Sequence, residues 1–230
     1  MITTNAIIKI EKEITESMYL ISVSLERYRK WIPGMFLQLS LETKTASEPW
    51  LDSRAFSFAS WGNEKALLLI RKEGNFTRSL ISKAKDGFLG TVRYPFGNFL
   101  LNDESPKVFL AGGAGVSVFL SYLDYLRLIK NKPTTLNIFH SVKNSNETIE
   151  KIYWNRIPEF VNVYEFITNH NDINFTGRFT SELLFNKFNE VKDTDFYICG
   201  PPQFIDYWSK KLQEKGIKPH LEQWINRVNS

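Results

Sequence analysis

Four short stretches of this 230-residue chain combine residue types that can hold an anion or an aromatic ring. GGAGVSV, residues 112–118, follows a compact apolar run and opens an apolar-periodic segment reaching to about Lys130, the pattern of a strand, a glycine turn and a helix. Gly112, Gly113, Ala114 and Gly115 let the backbone turn tightly and approach a ligand, and the unpaired N–H groups opening the following helix favour a phosphate. RAFS offers the Arg54 guanidinium as a fork for phosphate, the Phe56 ring as a flat apolar face and the Ser57 hydroxyl, with Ala55 between them. Gly74, Asn75, Phe76 and Thr77 add N–H groups and a hydroxyl at a second helix start, and CGPP, residues 199–202, closes another apolar run. Each stretch also has a use without any ligand: the glycine turn as a tight connection, Arg54 as a solvated charge, Phe56 as a core aromatic and Cys199 as a small buried hydrophobe.

The elements that must position these residues fall into two rhythms. Before about Asn102, short alternating runs at residues 6–10, 18–23, 35–39, 54–59, 67–70 and 90–93 read as strands of a small antiparallel β-barrel. One helix interrupts them, with Asn75 or Thr77 as its cap, Leu80, Ile81 and Ala84 on its buried face and Gly87 as its stop. From Pro106 onward, strands at residues 108–111, 135–139, 161–166 and 196–199 alternate with helices after Gly115, around residues 147–156, after Thr180 and after Pro202. That alternation implies a parallel sheet covered by helices on both faces. The polar LNDESP, residues 101–106, is the natural seam, giving an expected β-barrel domain at 1–103 and an α/β domain at 104–230.

Composition removes other classes of chemistry. A single cysteine rules out an intrachain disulfide and any cluster held by several thiolates of this chain, so a one-electron iron–sulfur relay belongs to another protein. His140, His170 and His220 are too scattered for a metal site, and none is expected. The formal charge of +4 permits an acidic partner without selecting one, and the lysines are spread rather than bunched into a nucleic-acid stripe. No run approaches the roughly 18 apolar residues of a membrane span, and the opening residues lack a leader's pattern, so a cytoplasmic protein is expected.

Taken together, the motifs resemble the ferredoxin–NADP reductase-like flavoproteins, a family that includes oxygenase reductase subunits and electron-transfer subunits of dihydroorotate dehydrogenase. Those proteins read R-x-[YF]-S, a G-x-x-[ST] helix start, a P-[FY]-G turn, G-G-x-G and C-G-P-P in that order. This chain reads Arg54-Ala55-Phe56-Ser57, Gly74-Asn75-Phe76-Thr77, Pro95-Phe96-Gly97, Gly112-Gly113-Ala114-Gly115 and Cys199-Gly200-Pro201-Pro202, covering nearly its whole length. The resemblance implies a two-domain protein, an antiparallel β-barrel flavin-binding domain followed by an α/β parallel-sheet nucleotide-binding domain. It implies FAD, with Arg54 and Thr77 on the phosphates, Phe56 against the ring system and Ser57 near the flavin N5. It also implies NADH or NADPH, with the pyrophosphate on Gly112 to Gly115 and with Cys199, Gly200 and Pro201 close to the nicotinamide.

Near the end, LEQWI looks like the family's closing strand, in which Glu222 and Trp224 approach the flavin. Ser57, Cys199 and Glu222 are then the catalytic candidates, Cys199 by shaping a small dry space rather than as a nucleophile. The implied activity is an NAD(P)H-dependent flavoprotein reductase that hands electrons to a separate redox protein such as a ferredoxin. Its rivals are a flavin reductase or oxidase, and a flavin- and nucleotide-binding electron-transfer subunit without turnover. Choice of donor rests on residues 140–151, where Ser141, Lys143 and Lys151 are available to a 2′-phosphate but no arginine stands. Val118, Tyr94 and Phe204 depart from the family pattern, which has proline, glycine and methionine at those places.

Overall fold

A computed structural model describes residues 1–101, 105–129, 135–187 and 194–222. The alternating runs form six antiparallel strands: β1 (Ile2–Thr15), β2 (Met18–Leu25), β3 (Phe36–Ser40), β4 (Arg54–Ser57), β5 (Lys65–Arg71) and β6 (Phe88–Phe96), ordered β4-β3-β6-β1-β2-β5. In β1, Thr4, Ala6 and Ile8 turn inward while Ile7 and Lys9 face out, the period of two that half-buried strands require. Just past β4 the Ala59 N–H donates to the Leu67 carbonyl at 2.8 Å, and the Leu67 N–H donates to Ser60 Oγ at 2.8 Å. These bonds bring the two edges of the sheet together, and the barrel is nearly closed.

Helix α1 (Asn75–Ala84) buries Leu80, Ile81 and Ala84 in the barrel core, as its spacing predicts. Its cap differs from expectation. Gly74 is the N-cap and no side chain caps the helix from that position. Thr77, the third helical residue, instead reaches back: its Oγ1 accepts the Glu73 N–H at 2.9 Å and donates to the Gly74 carbonyl at 3.1 Å. Deeper in the core, Trp31 and Phe58 stack at 4.2 Å, and Tyr94 meets both rings edge-on. Their polar ends are satisfied, Trp31 Nε1 by the Ser60 carbonyl and the Tyr94 hydroxyl by Arg27 and Arg29 main chain.

The second half supplies β7 (Lys107–Gly112), β8 (Leu136–Val142), β9 (Val161–Ile167), β10 (Asp195–Cys199) and β11 (His220–Glu222), all parallel, ordered β11-β10-β7-β8-β9. All six residues of β7 are buried, the property of a central parallel strand enclosed on both faces. The connections include α2 (Ser117–Leu126), α3 (Ile149–Ile152), α4 (Ser181–Lys187) and α5 (Pro202–Gln213). The helix expected around residues 147–156 is broken: Thr148 is extended, with ψ 154°, and its hydroxyl donates to the Ser145 carbonyl at 2.9 Å. A local side-chain bond of that kind competes with helix propagation, leaving a 3-10 turn and one helical turn. The helix after the glycine turn ends at Leu126, short of Lys130.

Contacts gather the barrel strands, α2 and residues 150–156 into one compact unit and the five parallel strands into another. Within the first unit, α2 is fixed to the loop after β4. Ser121 Oγ donates to the Ser60 carbonyl at 2.9 Å, and Asp124 accepts the Trp61 N–H at 3.3 Å and the Tyr153 hydroxyl and Asn155 amide at 3.0 Å each. Burial pushes the Asp124 carboxyl above its ordinary range in spite of these donors.

Removing the stacked ring beneath Trp31 by Phe58→Ala should cost about 3–5 kcal/mol in urea unfolding. A loss well under 1 kcal/mol would show that the barrel does not rest on this cluster.

Candidate functional site

The parallel sheet reverses direction of growth between β7 and β10, since the chain runs from β7 outward through β8 and β9 and returns to β10 and β11 on the other side. Ligands of open α/β sheets bind at the carboxyl ends of strands at such a reversal. Both glycine-rich motifs meet there: Gly112 ends β7, a 3-10 turn follows at Gly113–Val116, and Gly200 and Pro201 follow β10. The two turns touch through main chain. A Cβ on Gly115 would lie 2.5 Å from the Cys199 carbonyl oxygen, and one on Gly200 would lie 3.0 Å from the Gly112 nitrogen. A Cβ on Gly112 would meet Pro201 at 2.9 Å and Phe204 at 3.1 Å, so three of these glycines are required by the protein's own packing. Gly113 is required differently, by φ +52°. Gly113, Ala114 and Gly115 remain partly open, whereas Val118, in the first turn of α2, is fully buried.

Cys199 is buried, and the register of β10 and β11 sets it directly beside Glu222. Glu222 is 8% exposed, and desolvation raises its carboxyl from 4.5 to about 7. Two of the sequence-nominated catalytic residues are therefore strand neighbours. Trp224 lies outside the described residues.

In the barrel unit, β4 alternates Arg54, exposed, with Phe56 half-buried and Ser57 buried. The Arg54 guanidinium lies over the Phe76 ring at 5.5 Å, and Phe76 lies 6.1 Å from Phe56, so cation and two rings form one column. Arg54 Nη1 donates to the Ser53 carbonyl at 2.8 Å. This column borders a cleft of about 300 Å³ that Lys44, Asp52 and Asn75 also line. Ser57 Oγ is buried and has no hydrogen-bond partner. An orphaned buried hydroxyl costs about 1–3 kcal/mol, and such a group marks a place where a ligand would complete the bonding. Gly74 gives the same indication: a Cβ there would meet nothing within 4 Å, so no packing demand explains the glycine. At the same helix start the Thr77 hydroxyl donates to the Gly74 carbonyl, and main-chain N–H groups opening α1 are further donors for a phosphate. Pro95 and Gly97 close β6, with Gly97 at φ +104° and tight against Phe36; Ala55 is half-buried.

The residue pattern considered His140 only as a metal ligand and passed over Glu165. His140 lies within β8, a largely buried strand, and its ring joins the Gly113 carbonyl to the Glu165 carboxylate. An ionisable residue inside a strand buried on both faces was the available signal.

Residues 109–210 match the model of the oxidoreductase NAD-binding domain. Over 97% of its length the chain superposes on the ferredoxin reductase in carbazole 1,9a-dioxygenase, with a TM-score of 0.80, 18% identity and 70% of that chain covered. The chain is ferredoxin reductase-like in fold. A ferredoxin NADP+ reductase from Neisseria gonorrhoeae gives a TM-score of 0.75 and 21% identity, over 98% of this chain and 95% of that one. In sequence, the chain is similar to the anthranilate 1,2-dioxygenase electron transfer component of Acinetobacter baylyi, 26% identical over 221 residues. That match takes in 91% of this chain but 62% of the relative, so the chain spans under two thirds of that relative's length. No described helix is long and apolar enough to cross a membrane.

Gly115→Ala should destabilise the protein by about 1–3 kcal/mol, read as a lower urea midpoint, because the Cys199 carbonyl cannot yield. Glu222 holds a proton in the folded state that the unfolded chain releases, so stability should fall as pH rises from about 4.5 to about 7. The whole change amounts to at most about 3 kcal/mol. Glu222→Gln should flatten that segment of the pH profile, and parallel profiles for the two proteins would disprove the assignment.

Proposed function

We propose that the chain is an NAD(P)H-dependent flavoprotein reductase, taking electrons from NADH or NADPH through bound FAD to a separate acceptor such as a ferredoxin. The observation that carries the reading is the meeting of Gly112–Gly115 with Cys199–Gly200 at the reversal point of a sheet whose residues match an oxidoreductase NAD-binding domain. The Neisseria reductase named above was solved with bound FAD and NADP, and the Acinetobacter relative is an electron transfer component of a dioxygenase. Both descriptions support the same chemistry here. A flavin-binding domain at 1–103, a nucleotide-binding domain at 104–230 and a cytoplasmic location go with it.

The residues present fit both groups. Ser57 Oγ, buried and without a protein partner, suits a flavin ring edge that can donate or accept a hydrogen bond. Arg54 and the N–H groups opening α1 suit the FAD phosphates, and Phe56, with Pro95 and Gly97 at the end of β6, would flank the ring system. When bound, FAD supplies the conversion of a two-electron donor into single electrons. The chain's own residues bind, orient and dry the site: Gly113, Ala114 and Gly115 leave main chain open to a pyrophosphate, Pro201 follows on the facing turn, and Cys199 with Glu222 bounds the nicotinamide end. Glu222, with a carboxyl near 7, can exchange a proton at neutral pH.

Purified yellow protein mixed anaerobically with NADH or NADPH should lose its flavin absorbance, and added oxidised ferredoxin should restore it. No bleaching with either nucleotide overturns the proposal. Arg54→Ala should weaken flavin retention by about tenfold or more, given the worth of a charge-assisted phosphate contact.

A further inference from the structure

We infer that His140 is a positioning residue for the nucleotide turn: its ring, held by Glu165, pins the Gly113 carbonyl inward and so turns the next N–H outward toward the pyrophosphate. The inference rests on the reading of Gly112–Gly115 as the nucleotide-binding turn.

The geometry is direct. The His140 side chain is 1% exposed, Nε2 lies 3.0 Å from the Gly113 oxygen and Nδ1 lies 3.2 Å from Glu165 Oε1. Both partners are acceptors. The ring is therefore held at both nitrogens, and Glu165 is itself fixed by the Ile149 N–H at 2.6 Å. The strand register places His140 opposite Ala111 on β7 and Glu165 on β9. Of the elements packed on it, the 113–116 turn brings no charge, β7 brings Lys107 at its far end opposite Leu136, β9 brings Glu165, and the 3-10 turn after β8 brings Glu147, which accepts the Lys143 N–H.

The consequence for the turn follows from the peptide plane. The bond from Gly113 to Ala114 is trans, so its C=O and N–H point in opposite directions. Drawing the carbonyl onto His140 aims the Ala114 N–H the other way, from a residue that is partly exposed. Gly113, at φ +52°, has the freedom to hold that orientation.

Calorimetric titration of the flavin-loaded protein with NAD+ and, separately, NADP+ tests this. His140→Phe should bind the nucleotide that wild type prefers about tenfold more weakly, with flavin content unchanged. His140→Gln places an amide nitrogen where Nε2 stands and should recover most of the affinity; His140→Asn, reaching only to Nδ1, should not. Equal affinity of wild type and His140→Phe, or equal behaviour of the Gln and Asn variants, overturns the inference. Binding of neither nucleotide by wild type overturns the reading of the turn itself.

Discussion

The contact between two turns of main chain, at the ends of β7 and β10, is the constraint on which the parallel-sheet unit depends. Cys199 and Gly200 occupy the space that a side chain at 115 would need, and Gly112 occupies the space of one at 200. The two central strands can therefore end at the same level only if these positions lack a Cβ. That level in turn sets Cys199 beside Glu222 across β11 and brings the Gly113 carbonyl within reach of His140. A cluster of glycines is often credited to the ligand it cradles. Here most of it answers first to the protein's own packing, and only the orientation of the 113–114 peptide bears on what lies outside.

The barrel unit presents the opposite case. Gly74 has open space where its Cβ would be, and Ser57 carries a buried hydroxyl without a partner. Neither feature helps the polypeptide alone: glycine at a helix start adds backbone entropy to the unfolded chain, and an unbonded hydroxyl forfeits solvation. The core of Trp31, Phe58 and Tyr94 and the Asp124 cluster that fixes α2 to the adjoining loop offset such costs. Local features that the fold does not need, carried on a strand that the fold holds rigidly, are what a binding site requires.

Much of this was legible in residue order. Alternation of period two marked all six barrel strands, and Leu80, Ile81 and Ala84 marked the buried face of α1, because periodicity reports which side of an element meets a core. The five motifs located Arg54, Ser57, Gly112 and Cys199 on strand ends. Thr77 does not take the N-cap position expected of Asn75 or Thr77, which falls to Gly74; at the third helical position its side chain turns back on its own turn, and only coordinates show that it does. The helix expected over residues 147–156 failed because one hydroxyl, that of Thr148, closes a local bond that no hydropathy pattern records.

The sequence by itself determined the alternation of strands and helices, the motifs that end them and the exclusion of multi-thiolate chemistry, because each is a property of neighbours along the chain. Tertiary structure alone decided which glycines are forced by packing, that Ser57 is left without a partner, that desolvation lifts Glu222 toward neutrality and that His140 answers to Gly113 and Glu165. Those properties depend on atoms separated by tens of residues, and their energies are set by burial and by the direction of a donor, neither of which is written in local order.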